Sequence, residues 1–398
     1  MTLRRRGICL SVLVCLTYAF AYLCRINLSA AVNKMASGFG VGVSAIGIFG
    51  TLQTLIYAGG QLVNGYIISR HRPRLVILCA VIGSSCANLL MSLVNNYYAA
   101  LVIWCANAYM QSLFWGAIIR IIDTYPESRS DTTVMWTILV LPISYTLSWS
   151  VIGQLLDSSP SWHPYFLIPG ILLFLLIPFW ISAGKICPET DTLQSAAVIR
   201  TPGGIFRYIF QNHVTVYCIV SVLSGIVREG ILFWAPVLLA RILAGSGISP
   251  YLTAPLIPFG RIPSTILLRL ILPKFRNYLK INAWLFGLIS AICFAVLLLP
   301  ENAPIPAVIL ISLLTLLSTM LGSLFSVYVP LSYTHDNKSA PVAGLLDALI
   351  YLGGAVSTFV LGHILGSGSL DGAAVFWIIT AVSGIIIPAL MPKPIHKQ

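Results

Sequence analysis

Charge is what this sequence has least of. Only 9% of its 398 residues are charged, and Asp and Glu together number 11, whereas soluble domains carry about 25% charged residues. Apolar residues reach 58% and the mean hydropathy is +0.92, which excludes a water-soluble core. Short alternating apolar and polar segments are also missing, so a membrane-spanning β-barrel is excluded and helices must do the crossing. The nine cysteines form no C-x-x-C pair and have no histidine at metal-ligand spacing, and they read as small apolar residues. The six histidines stand singly, with no triad, metal or phosphate-loop signature around them. Neither an enzyme nor a bound metal or cofactor is expected. A formal net charge of +12 would suit nucleic acid only if the cations shared one solvated face. Here they lie in short loops, so no nucleic-acid partner is expected.

What the chain has in quantity is long apolar runs. Windows bounded by Gly, Pro and charge fall near 7–32, 44–69, 75–94, 97–122, 132–156 and 164–183, and then near 213–240, 249–272, 279–299, 304–332, 339–366 and 372–391. Each suits one transmembrane helix of about 20 residues. A polar stretch between the sixth and seventh windows is the one real linker. The expected organisation is an N-terminal six-helix half (1–184), a cytoplasmic linker (185–211) and a C-terminal six-helix half (212–398). With the N-terminus inside, sixteen loop and tail cations fall on the inner face and two, Lys34 and Arg241, on the outer. That asymmetry predicts both termini in the cytoplasm. The first window imitates a signal peptide, with Arg4 to Arg6 ahead of an apolar stretch and Ala19-Phe20-Ala21 as a candidate cleavage site. It runs on past signal-peptide length, so no cleavage is expected.

The two halves look like a repeat. Arg25 in the first window has a counterpart in Arg228 in the seventh, 203 residues later, and later windows follow at a similar offset. Two six-helix halves in parallel repeat are the pattern of the major facilitator fold, with the solute site between the halves near mid-membrane. An arginine at that depth costs between about 2.5 and over 10 kcal/mol, so it persists only with a partner or a wet cavity. Three qualify: Arg25, Arg228 and Arg261. Tyr18, Tyr22 and Arg25 share one helix face, and Ser221, Ser224 and Gly225 leave space beside Arg228. Glu229 and Asp347 supply two negative charges, which leaves one positive for an anionic solute. A guanidinium meets phosphate or carboxylate with two parallel hydrogen bonds. Further polar stripes lie on the second window (Gln53, Thr54, Tyr57, Gln61, Asn64) and the fourth (Asn107, Gln111, Trp115). They read as cavity lining or as glue between helices. Glycine-rich stretches such as Gly353-Gly354 read as close-packing faces. Arg261 and Asp347 either pair with each other or act on the solute.

Several of these residues stand in motifs. Tyr22-Leu23-Cys24-Arg25-Ile26-Asn27 is similar to Y-L-x-R-x-N, and Arg228 to Pro236 is similar to R-x-G-I-x-x-W-x-P. With Gln111-Ser112, Trp115, Trp136 and Tyr351-Leu352-Gly353-Gly354, they resemble the organophosphate:phosphate antiporters of the major facilitator superfamily. The resemblance runs along most of the chain and implies a phosphate group held by Arg25 and Arg228, a sugar or glycerol part facing tyrosines and amides, and exchange against inorganic phosphate by alternating access. Taken with the charges and polar stripes, the expected site comprises Arg25, Arg228, Tyr18, Tyr22, Tyr57, Gln61, Gln111, Trp115, Arg261, Asp347 and Tyr351. A monomer in the bacterial inner membrane is expected. Departures concern specificity: Gln61 and Val140 replace a lysine and a histidine of glycerol-phosphate members, Ser69 replaces a loop aspartate, and Arg261 and Asp347 stand where the family has other residues. Two other readings stay open, a proton-coupled symporter of an organic anion and a transporter-like sensor of sugar phosphate.

Overall fold

The computed structural model describes residues 3–124, 131–186, 214–275, 277–300, 303–333 and 339–391. Among them every regular element is helical. A lipid interior offers the backbone no hydrogen-bond partner, so each apolar run satisfies its own amides as a helix. Twelve helical segments are long and apolar enough to cross a bilayer: α1 (Gly7–Phe39), α2 (Val43–Gly65), α3 (Pro73–Met91), α4 (Tyr97–Ile122), α5 (Met135–Leu155), α6 (Pro164–Ala183), α7 (Thr215–Ile242), α8 (Pro250–Lys274), α9 (Tyr278–Leu298), α10 (Pro304–Leu331), α11 (Val342–Gly366) and α12 (Leu370–Leu390). The expected all-α, twelve-span architecture is the one observed. From residue 187 onward the expected linker 185–211 lies outside the described residues, as do the loop cations Arg129, Arg200, Arg207, Arg276, Lys338, Lys393 and Lys397.

Local chemistry sets the helix ends. Pro73, Pro164, Pro250 and Pro304 open their helices, where a missing N–H costs nothing and the fixed φ suits the first turn. The first span outruns its sequence window, which closed at residue 32. It continues to Phe39 and stops at Gly40, whose φ of 65° is a left-handed conformation open to glycine. Lys34, which reads as a loop cation, sits inside the helix. Its ammonium donates to the carbonyl oxygens of Leu156 (2.8 Å), Asp157 (2.9 Å) and Ser159 just after α5. It caps the carbonyl end of α5 with positive charge, where the helix dipole favours it.

The described structure groups into two compact units, 1–42 with 59–198, and 43–58 with 199–398. In the first unit α1 is held from several sides. Ser11 meets Thr133 at 2.9 Å, Ser144 donates to the Ala19 carbonyl, the Trp149 indole donates to Ser29 Oγ (3.0 Å), and the Trp180 indole donates to Thr17 Oγ1 (2.9 Å). Their apolar surroundings come from α1, α3, α4 and α6, with Val14, Ile77, Phe114 and Trp180 buried together. The second unit has α7 and α10 at its centre, each 67% buried, while α8 is 22% buried and lies at its edge. Helices α7 and α11 approach backbone to backbone. A Cβ on Gly225 would fall on the Ile350 carbonyl, and one on Gly353 on the Val222 carbonyl. Small residues at such contacts permit the close approach that binds helices where water exerts no hydrophobic drive.

Four spans depart from a regular α-helix, among them α6, which runs as Pro164–Phe174 and then Ile177–Ile186. α8 is one apolar window in the sequence but three pieces in the structure, Pro250–Thr253, Leu256–Phe259 and Arg261–Ile271, because Pro255 and Pro258 remove ladder donors. α5 and α10 each contain a π-helical turn, Leu147–Ile152 and Leu324–Tyr328. Such a turn inserts a residue and rotates the face that follows it.

Candidate functional site

In the first unit, Arg25 is 9% exposed in the middle of α1. Its guanidinium carbon lies 5.6 Å from the centre of the Tyr22 ring, within cation–π range. The Tyr22 ring meets Tyr18 edge-on at 5.0 Å, and Tyr18 meets Trp115 of α4 at 5.5 Å. Four of the predicted residues are therefore neighbours: Tyr18, Tyr22, Arg25 and Trp115. The helical spacing of Tyr18, Tyr22 and Arg25 dictates this, since residues four and seven apart share a face.

Two aromatic residues that the sequence reading passed over complete the collar. Tyr145 stands 6.3 Å from Tyr22, and Trp149 stacks edge-on against Tyr145 at 4.8 Å. Both are buried. Their four-residue spacing on α5 was a signal available in the sequence, masked by the π turn that begins at Leu147 and shifts the following face.

Gln111 is engaged between helices. Its amide nitrogen donates to the Ala21 carbonyl (2.9 Å) and to Ser84 Oγ (2.8 Å). Ser84 in turn donates to Asn107 Oδ1 (2.7 Å), Asn107 donates to the Cys24 carbonyl (2.9 Å), and Asn27 donates to Asn88 Oδ1 (2.8 Å). These buried amides stitch α1, α3 and α4 together. Asn107 and Gln111 of the α4 stripe thus bond between helices, while Trp115 of the same stripe lies against Tyr18. Asn64 of α2 is likewise engaged, donating to Ser112 Oγ at 2.6 Å. Gln61 is half-buried one turn earlier, apart from the aromatic collar.

The second unit gathers another predicted set. Arg228 is also 9% exposed, and its Nε and Nη2 both donate to Glu229 Oε1, at 2.8 and 2.7 Å. Adjacent residues on a helix seldom face each other, so the sequence offered Glu229 as a general neutraliser rather than as this direct partner. Burial explains the pairing: with both side chains largely out of water, a shared charge-assisted contact is the available compensation. Nη1 lies against Gly322 of α10, where a Cβ would approach to 2.5 Å. The guanidinium also sits 5.9 Å from the Tyr351 ring, and the Tyr351 and Tyr57 rings meet at 4.6 Å. Asp347, one turn before Tyr351, exerts its charge on the same guanidinium. Tyr57, Arg228, Asp347 and Tyr351 are therefore brought together in this unit. Glu229 belongs with them, packed so closely on α11 that a Cβ at Gly354 would meet its Cβ at 2.7 Å and its Cγ at 2.8 Å. Arg261 begins the third piece of α8, half-exposed at the unit's edge. Among the described residues no group of three or more His, Cys, Asp or Glu could hold a metal ion.

Each unit buries one arginine beside aromatic rings, Arg25 in α1 and Arg228 in α7. The chain belongs to the Major Facilitator Superfamily, whose sequence profile matches residues 14–358. It is 27% identical over 136 residues to the membrane sensor protein UhpC of Escherichia coli (strain K12), a match that covers 34% of this chain and 30% of that protein. Its fold is similar to that of the nucleoside transporter NupG, with a TM-score of 0.74, 13% identity and 98% of each chain covered. It is also similar to a D-xylose-proton symporter, with a TM-score of 0.75, 12% identity and 98% of each chain covered.

Proposed function

We propose that this transporter exchanges a phosphorylated small metabolite, of the sugar-phosphate or glycerol-phosphate type, for inorganic phosphate by alternating access. The observation that carries the reading is the buried guanidinium of each unit, Arg25 in its collar of tyrosine and tryptophan, and Arg228 with its neighbouring carboxylate. Both serve the phosphoryl group, whose oxygens match the fork of a guanidinium better than a point charge does. Tyr18, Tyr22, Trp115, Tyr57 and Tyr351 bound the rest of the solute, and Gln61, Arg261 and Asp347 set its specificity. Gln111 supports the α1 face indirectly by donating to the Ala21 carbonyl. A substrate anion favours the closed state only by binding it more tightly than the open ones. An anion that draws on both arginines supplies that difference.

The test is counterflow in proteoliposomes loaded with phosphate, with a panel of labelled phosphorylated compounds outside. Arg25→Lys and Arg228→Lys are expected to lower exchange at least a hundredfold, about 2.7 kcal/mol at about 1.36 kcal/mol per decade, with the protein still in the membrane. Unchanged exchange in either variant would overturn the two-arginine reading. The partial likeness to a membrane sensor protein supports a second reading, in which the same residues bind the ligand without turnover. Saturable binding of a sugar phosphate together with no counterflow would favour it.

A further inference from the structure

Of the two cations that break the charge asymmetry, Lys34 is explained by the three carbonyl oxygens it caps. Arg241 is not explained in this way. It lies at the end of α7, thirteen residues beyond Arg228, or about 20 Å along the axis at about 1.5 Å per residue. There it lines a cavity of ≈ 370 Å³ formed wholly within the second unit by the ends of α7 and α9 and the starts of α10 and α12. Successive spans run in opposite directions, so these four ends lie at one face of the membrane.

The cavity is polar at its rim and apolar below. Arg241 and Asp371 stand at the span ends, while Cys293, Leu314 and Trp377 line the deeper part. From Leu370 to Trp377 is seven residues, a depth of about 10 Å, which carries the cavity from the headgroup zone into the hydrocarbon. Among the described residues, two that line it each hold a buried donor with no hydrogen-bond partner, Nη1 of Arg241 and Nε1 of Trp377, and Trp377 is only 4% exposed. Leaving a buried donor unmade is costly, and native structures leave few of them. A single water would satisfy one donor, but it does not fill an apolar chamber of this size.

We propose that this cavity is a phospholipid site, separate from the transport site. The phosphodiester accepts from Arg241 and from the Trp377 indole, and part of an acyl chain occupies the apolar depth. Asp371 at the rim repels a second negative charge, so the site favours a headgroup that carries an ammonium beside its phosphodiester over a doubly charged phosphate monoester.

The test uses the full chain, purified and delipidated in a neutral detergent, with thermal stability read against added dihexanoyl phosphatidylethanolamine. Headgroup alone (glycerophosphoethanolamine) and inorganic phosphate serve as the free-anion arms. The lipid is expected to raise the melting temperature saturably and neither free anion to do so. Arg241→Gln is expected to shift the half-saturating lipid concentration at least tenfold upward, and Trp377→Phe, which keeps an aromatic side chain and removes the N–H, severalfold. Ala374→Phe, which fills the cavity, is expected to abolish the response. If Ala374→Phe fails to fold, Arg241→Gln and Trp377→Phe decide. A response of equal midpoint in those two variants and in the parent would overturn the site. So would no saturable response in the parent, and an equal response to inorganic phosphate would overturn the lipid as its ligand.

Discussion

Glu229 gives Arg228 two relationships, one to the fold and one to the solute, and mutants can separate them. Removing one member of a buried ion pair costs about 3–5 kcal/mol because it strands the other charge, whereas removing both is often nearly neutral. Glu229→Gln is therefore expected to lower the thermal stability of the purified protein markedly, and Arg228→Gln with Glu229→Gln to regain most of it. Exchange should be absent in the double variant despite its stability. A double variant that is stable and still exchanges phosphate would assign Arg228 a purely structural role. The sequence pointed to Arg25, Arg228 and Tyr22 because charge and helical spacing mark them, and to Tyr351 through a motif that resembles the family's. It did not reveal that Glu229 turns onto its chain neighbour, since that contact depends on burial from α10 and α11. Nor did it decide between the two uses of Gln111. An amide in a membrane helix looks the same in sequence whether it faces a solute or a neighbouring backbone.

At the level of the helices, the approach of α7 and α11 is a steric prediction. The Cβ of Gly225→Ala or Gly353→Ala meets a backbone carbonyl of the facing helix, which cannot rotate away as a side chain would. Overpacking of this kind costs about 1–3 kcal/mol, and both variants are expected to show lower melting temperatures and reduced yield. Gly287 of α9 is the control, since a Cβ there would meet nothing within 4 Å. Gly287→Ala should be neutral, or stabilising by up to about 1 kcal/mol, by the loss of backbone freedom in the unfolded chain. Most span positions could be read from apolar runs and their proline and glycine borders. Two features could not. The length of α1 past residue 32 depends on Lys34 finding carbonyl partners more than 120 residues away. The breaks in α8 come from prolines that hydropathy counts as ordinary apolar residues.

For the molecule as a whole, coupling is the property to measure. An exchanger driven by phosphate should take up labelled substrate when phosphate is inside and no pH gradient exists, and the imposition of a gradient should change the initial rate less than twofold. A carrier that uses Asp347 or Glu229 to move a proton should instead depend on the gradient and ignore internal phosphate. Initial uptake rates in matched liposomes distinguish the two. The pairing of Arg228 with Glu229 also bears on how the chain is made. On the scale of the insertion machinery an arginine at mid-helix costs about 2.5–3.5 kcal/mol. α7 brings its own counter-charge on the next residue, so the middle of the helix carries no net charge as it enters the bilayer. α1 contains no acid at all. Arg25 therefore has no counter-charge on its own helix and depends for settling on the helices that follow it.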